Sequence, residues 1–226
     1  MKVTDKQGEL MNTARITGIW YLMLAITGIL GFMIFHSRVY NADPEQTLTN
    51  LVKGESIARI RLLLEFGIII SQALAAVWFY RLFRKINASA ALATAIWGTV
   101  NSILIAISAI SMGAAIKVAQ SSHLLEDKIV MIDLLNLLIT NAWSVGGLFF
   151  GLWLIPMGYI ITESKRMPVW LGRTLILGGF GYLISTGLSY GGISGSWLYT
   201  LTLPASVGEF WMIGYLLIFG IRPEKD

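Results

Sequence analysis

Long apolar runs separated by short polar ones set the pattern of this chain. The runs cover residues 14–35, 57–83, 88–116, 134–162, 169–189 and 204–221. An apolar stretch of about 18 residues or more, rising about 1.5 Å per residue as a helix, matches the hydrocarbon thickness of a bilayer. The pattern predicts an all-α, polytopic membrane helical bundle with six transmembrane helices, one integral membrane domain over residues 1–226. The first run is longer than the core of a signal peptide. It leads into Phe35-His36-Ser37-Arg38 rather than a small-residue cleavage site, so it reads as an uncleaved span.

The polar segments carry their own signals. Residues 1–14 read as a short mobile tail, with Asn12 or Thr13 capping the first span. Asp43-Pro44-Glu45 is a helix start: Asp43 caps, Pro44 suits the first helical position, and Glu45 suits the positive end of the dipole. Lys53-Gly54 ends that helix, which predicts a short element over the membrane surface, a connector rather than a lid. Ser56 caps the second span. The turn at Lys85-Ile86-Asn87 is tight, so the spans it joins are antiparallel neighbours. Ser122 starts a helix that runs through Glu126 and Asp127 into the fourth span. Gly147 and Gly151 form a Gly-x-x-x-Gly step for close internal helix packing. Residues 190–196 read as a flexible uncharged stretch, with Trp197 and Tyr199 at the interface before the last span.

Composition sharpens this. Hydrophobic residues make up 55% of the chain and charged residues 13%, about half the charged share of a soluble domain. The net charge of +4 does not point to nucleic acid, because the basic residues sit in loops between apolar runs. With both termini placed in the cytoplasm, eleven basic residues lie inside: Lys2, Lys6, Arg15, Arg81, Arg84, Lys85, Lys165, Arg166, Arg173, Arg222 and Lys225. Six lie outside: Arg38, Lys53, Arg59, Arg61, Lys117 and Lys128. That asymmetry predicts cytoplasmic termini.

The exceptions to the pattern carry the functional reading. Arg59, Arg61 and Glu65 open the second run, and Glu209 lies in the last. Intramembrane charges are expensive and face a partner or a cavity. Arg61 and Glu65 share a helix face at a spacing of four. On the orientation above, Glu65 and Glu209 sit at similar depth in the outer half. Asn136, Thr140, Asn141 and Ser144 of the fourth run, and Ser185 and Thr186 of the fifth, lie nearby. These predict an outward-facing polar pocket, with Arg59 or Arg61 as counter-charge and most Asn, Ser and Thr side chains bonding between helices. The alternative is an Arg–Glu pair that only fixes helix register.

Enzymatic signatures are incomplete. Gly192-Ile193-Ser194-Gly195 matches the Gly-x-Ser-Gly around the nucleophile of rhomboid proteases, but no histidine follows His123 to serve as base. His36 and His123 lie outside the apolar runs, and there is no cysteine, so neither a zinc site nor a disulfide is expected. No Gly-x-x-x-x-Gly-Lys is present. The expectation is no catalytic residue, no metal and no cofactor.

Several stretches together resemble one family. They are residues 12–22, with Arg15, Gly18, Trp20 and Tyr21; Arg59 to Glu65; residues 80–87; Phe149-Phe150-Gly151 to Gly158-Tyr159; Pro168 to Gly172; Gly178 to Leu183; and Leu203-Pro204-Ala205 to Gly208-Glu209. In this order they resemble the bacterial integral membrane family DUF4386, a domain of unknown function. The resemblance implies a six-span protein of the bacterial inner membrane and no assigned activity. The functional expectation is a protein that binds or senses a small polar or anionic molecule at Arg59, Arg61, Glu65, Asn141 and Glu209. Its alternatives are a small transporter or proton-coupled permease, and a structural partner of another membrane protein.

Overall fold

The computed structural model describes residues 3–223, and they are helical almost throughout. Lys2 and Lys225, which entered the charge asymmetry, lie outside the described residues. The elements are α1 (Val3–Ile29), a π-helical stretch (Leu30–His36), α2 (Ser37–Val39), α3 (Pro44–Lys53), α4 (Glu55–Phe83), α5 (Ala88–Gln120), α6 (Leu125–Ser164), α7 (Val169–Tyr190), a 3-10 helix (Ser196–Thr202) and α8 (Leu203–Ile218). Five segments are long and apolar enough to cross a membrane: Gln7–Val39, Glu55–Phe83, Ala88–Gln120, Leu125–Ser164 and Ser196–Ile218. This is a multi-pass membrane protein. The fifth predicted span, α7, has the length at 22 residues, but Arg173 and its glycines lower its hydropathy.

Several local expectations change. The segment before Ala14 is not a loose tail: α1 already runs from Val3, and Thr13 Oγ1 donates to Glu9 O inside it. Glu, Gln, Met and Leu are good helix formers, and extending a helix is easier than starting one. For the same reason α4 begins at Glu55, which leaves Ser56 inside the helix. Ser122 lies in a bend, and α6 starts at Leu125 as one helix of 40 residues. Residues 196–202, ahead of α8, wind into 3-10 geometry.

The surface helix forms as its caps dictate. Asp43 accepts from Glu45 N at 2.9 Å, Pro44 opens α3 and Gly54 follows its end. At the tight turn, Asn87 Oδ1 accepts from Ala90 N at 3.0 Å and starts α5.

Side-chain and backbone contacts divide the chain into two compact units. The first takes the described residues up to Leu22, Gln72–Asn101, and those from Gly147 onward. Its core holds Tyr21, Phe79 and Trp153 in mutual ring contact, all within 1% of complete burial. Here α6 and α7 meet through glycines: a Cβ on Gly151 would lie 2.6 Å from Gly179 O. That is the close internal approach the Gly147–Gly151 step predicts.

The second unit takes Met23–Ser71 and Ser102–Gly146. Its core gathers Val39, Tyr40, Leu48, Leu51, Ala58, Met112, Ala115, Ile116, Ala119, Ile132 and Ile139. Leu48 and Leu51 of α3 sit in that core, each worth about 2 kcal/mol of burial. Asn50 Nδ2 donates to Val39 O at 3.3 Å, and Asn136 Nδ2 donates to Asn41 O at 3.0 Å, which ties α3 and its approach down. Large apolar side chains face outward along the spans, Leu63 at 64% and Ile110 at 72% exposure among them. Such a belt is stable only against lipid.

Candidate functional site

Each unit builds one polar centre among apolar side chains. In the second unit, α-helical spacing brings Arg61 and Glu65 of α4 onto one face. Arg61 Nη1 donates to Glu65 Oε2 at 2.7 Å, and both side chains are completely buried. Trp143 Nε1 of α6 donates to Glu65 Oε1 at 2.9 Å. Both carboxylate oxygens therefore have a donor, one of them charged.

The guanidinium is enclosed from the other side by the π-helical stretch. Its Cζ lies 5.5 Å from the centre of the Phe32 ring. Phe32 meets Trp143 edge-on at 4.3 Å, and His36 stacks on Phe32 at 5.0 Å. Tyr40 follows, 5.3 Å from the His36 ring and held in the core. Burial pushes the Tyr40 hydroxyl well above the ordinary tyrosine range. Gly31 completes the wall: a Cβ there would lie 3.3 Å from Arg61 Nη1, tighter than ordinary contact. A π-helix bonds at a spacing of five and widens the turn, which is a recurrent device near functional sites.

The guanidinium is only partly satisfied. Neither Nε nor Nη2 of Arg61 has an acceptor among the described residues, and His36 Nδ1 has no partner there either. Nε carries one N–H and Nη2 two, so three charged donors point into a buried region. A planar guanidinium edge of this kind recognises carboxylate-like and other planar or tetrahedral anions in bidentate fashion.

The remaining predicted site residues lie elsewhere. Arg59 is exposed and pairs with Glu55 at 2.6 Å along its own helix. Asn141 is exposed, and its Nδ2 donates to Leu137 O at 2.9 Å. Thr140 and Ser144 likewise bond carbonyls one turn back, Asn136 O and Thr140 O, rather than another helix. A helix offers these short side chains a carbonyl within reach of their own backbone. Asn136, bonded to Asn41 O, is the one of this group that does reach another segment.

Glu209 belongs to the first unit. It is half-buried on α8 and accepts a 2.6 Å hydrogen bond from the Tyr21 hydroxyl of α1. Tyr21 in turn packs edge-on against Phe79 at 5.3 Å and beside Trp153 at 5.9 Å. This carboxylate thus has its own donor within its own unit.

Trp143, His36, Phe32, Gly31 and Tyr21 were absent from the residues singled out by sequence. His36 was read as outside the spans, yet it ends the π-helical stretch within the segment Gln7–Val39. A tryptophan N–H inside an apolar run was the available signal for Trp143, since indole seeks an acceptor when buried. Among the described residues no group of three His, Asp or Glu side chains is placed to hold a metal ion.

No curated protein and no solved structure matches this chain. A family profile does match it, over residues 16–220. That match takes in both polar centres and all five long apolar segments, and the chain belongs to the DUF4386 family, a domain of unknown function.

Proposed function

We propose that this protein binds or senses a small anion or strongly polar molecule at Arg61. What carries the reading is the partly satisfied guanidinium: three N–H groups without an acceptor on a fully buried side chain. Leaving a buried donor unmet costs about 1–3 kcal/mol, more for a charged one. A guest with two acceptor oxygens removes that cost and gains a bidentate contact. Glu65 and Trp143 hold the opposite edge of the guanidinium and set its orientation. Arg59, exposed toward the start of α4, supplies a second positive charge on the same helix.

The test is thermal unfolding of the detergent-purified protein against nitrate, formate, acetate and bicarbonate. Wild type is compared with Arg61→Met and Glu65→Gln. Native-state binding raises the midpoint by mass action. An anion-specific rise that Arg61→Met abolishes and Glu65→Gln enlarges, because the competing carboxylate charge is gone, supports binding. A second reading rests on the complete satisfaction of Glu65 by Arg61 and Trp143. There the pair fixes helix register and holds no guest. No anion-dependent shift in any of the three proteins favours that reading.

We further propose that α7 crosses the membrane as a sixth span, that both termini lie in the cytoplasm, and that the membrane is the bacterial inner membrane. The basic-residue asymmetry and the even number of crossings support this arrangement. The chain has no cysteine, so single cysteines report position cleanly. Ser122→Cys is expected to react with an impermeant maleimide in intact cells, and Ser164→Cys only after lysis. The reverse pattern rejects the orientation.

A further inference from the structure

The first unit carries a second concentration of charge, away from its Tyr21–Glu209 contact. The turn after α4, the loop between α6 and α7, and the segment after α8 line a cleft of about 630 Å³. Four cations, Lys85, Lys165, Arg166 and Arg222, share its wall with one carboxylate, Glu163. The ion pairs among the described residues are Arg59–Glu55 and Arg61–Glu65. None of the four cations is therefore neutralised by a carboxylate there, Glu163 included.

The wall is also fixed in place. Arg222 N donates to Arg166 O at 3.0 Å, and Arg166 Nε donates back to Arg222 O at 2.8 Å. Gln7 Nε2 donates to the neighbouring Ile221 O at 3.1 Å. Arg166 thereby spends one N–H on the backbone and keeps its two terminal nitrogens. Lys165 stands just past the end of α6 with φ of 54°. Glycine is the usual residue at that left-handed position, and a side chain there carries a conformational penalty. A cytoplasmic loop needs basic residues to orient a span, but it does not need them gathered around one concavity.

We infer that this cleft binds a phosphate group, presented by the headgroup of an anionic phospholipid or by a soluble phosphate. Clustered cations in a concave site focus the field on an anion. The free edge of Arg166 offers the bidentate geometry that phosphate oxygens accept, with the lysines as point charges beside it. The volume falls within the ordinary range for small-molecule sites, roughly 300–1,000 Å³.

The experiment uses the full chain in nanodiscs of phosphatidylcholine alone or mixed with phosphatidylglycerol. Thermal midpoints are read with and without inorganic phosphate, at ionic strength matched with chloride. Stabilisation by phosphatidylglycerol identifies a lipid headgroup as the source. Stabilisation by inorganic phosphate in phosphatidylcholine discs identifies a soluble one. In either arm Arg166→Gln weakens the apparent affinity about tenfold or more, as loss of a charge-assisted bond requires. Lys165→Gly serves as the variant that cannot simply misfold, since glycine is favoured at its φ. It is expected to be at least as stable as wild type in phosphatidylcholine, yet to lose part of the shift. Arg38→Gln, outside the cleft, keeps the full shift. No shift in either arm, or a shift that Arg166→Gln and Lys165→Gly retain in full, overturns the proposal.

Discussion

Removing Glu65 should destabilise this protein more than removing Arg61, and removing both should cost less than either. The pair meets at 2.7 Å with both side chains fully buried. Two unit charges about 4 Å apart at an effective dielectric near 20 attract by about 4 kcal/mol. Breaking a buried pair on one side typically costs about 3–5 kcal/mol, because the remaining charge is stranded. Arg61→Met leaves a carboxylate that still receives the Trp143 N–H, which places the cost near 3 kcal/mol on that scale. Glu65→Leu strands both a guanidinium and an indole donor, which places it near 5 kcal/mol. The double variant strands only the indole, at about 1–2 kcal/mol. The coupling in the double-mutant cycle is then several kcal/mol. Equilibrium unfolding by SDS titration in mixed micelles measures all four proteins. Singles within about 1 kcal/mol of wild type, or a double equal to their sum, would refute the account of a desolvated pair.

Three further outcomes follow from the same structure. Tyr21→Phe removes the 2.6 Å donor to Glu209 and should lower stability by about 1.5–3 kcal/mol in the same titration, the worth of a hydrogen bond to a charged group. Gly98→Ala places a methyl group against the buried Trp153 ring; overpacking of this kind costs about 1–3 kcal/mol, read as a lower thermal midpoint. Burial raises the folded-state pKa of Tyr40 above its ordinary value of 10.0. Its contribution to stability is thus complete below about pH 10 and declines as pH rises further, a slope that Tyr40→Phe should flatten in alkaline unfolding curves.

The long apolar runs were legible because hydropathy alone decides what enters lipid, and the caps at Asp43 and Asn87 because they act within a few residues. The Arg61–Glu65 pair was legible for a related reason: a spacing of four on a helix is already a contact. Trp143 was not, since 78 positions separate it from Glu65 and only tertiary packing brings them together. The Asn, Ser and Thr side chains of α6 were read as links between helices. Most bond the preceding turn, a competition between partners that composition does not reveal. The start of α6 at Leu125 was obscured because hydropathy marks where lipid begins, while a helix is free to continue past it into water. Glu209 and Glu65 looked alike as lone acids in apolar runs, yet one is served by a tyrosine and the other by an arginine and a tryptophan.

The π-helical stretch has a consequence for insertions and deletions. A π-helix is, in register terms, an α-helix that has absorbed surplus residues. Losing one residue between Leu30 and His36 would let the chain relax toward ordinary α-helix and turn everything after it by about 100°. Phe32 and His36 lie on the surplus, stacked beside the Arg61 guanidinium. Family members that lack a residue in this segment would therefore present a different face to that arginine. The length of the first span, more than its composition, would then sort the family into chains that build this enclosure and chains that do not.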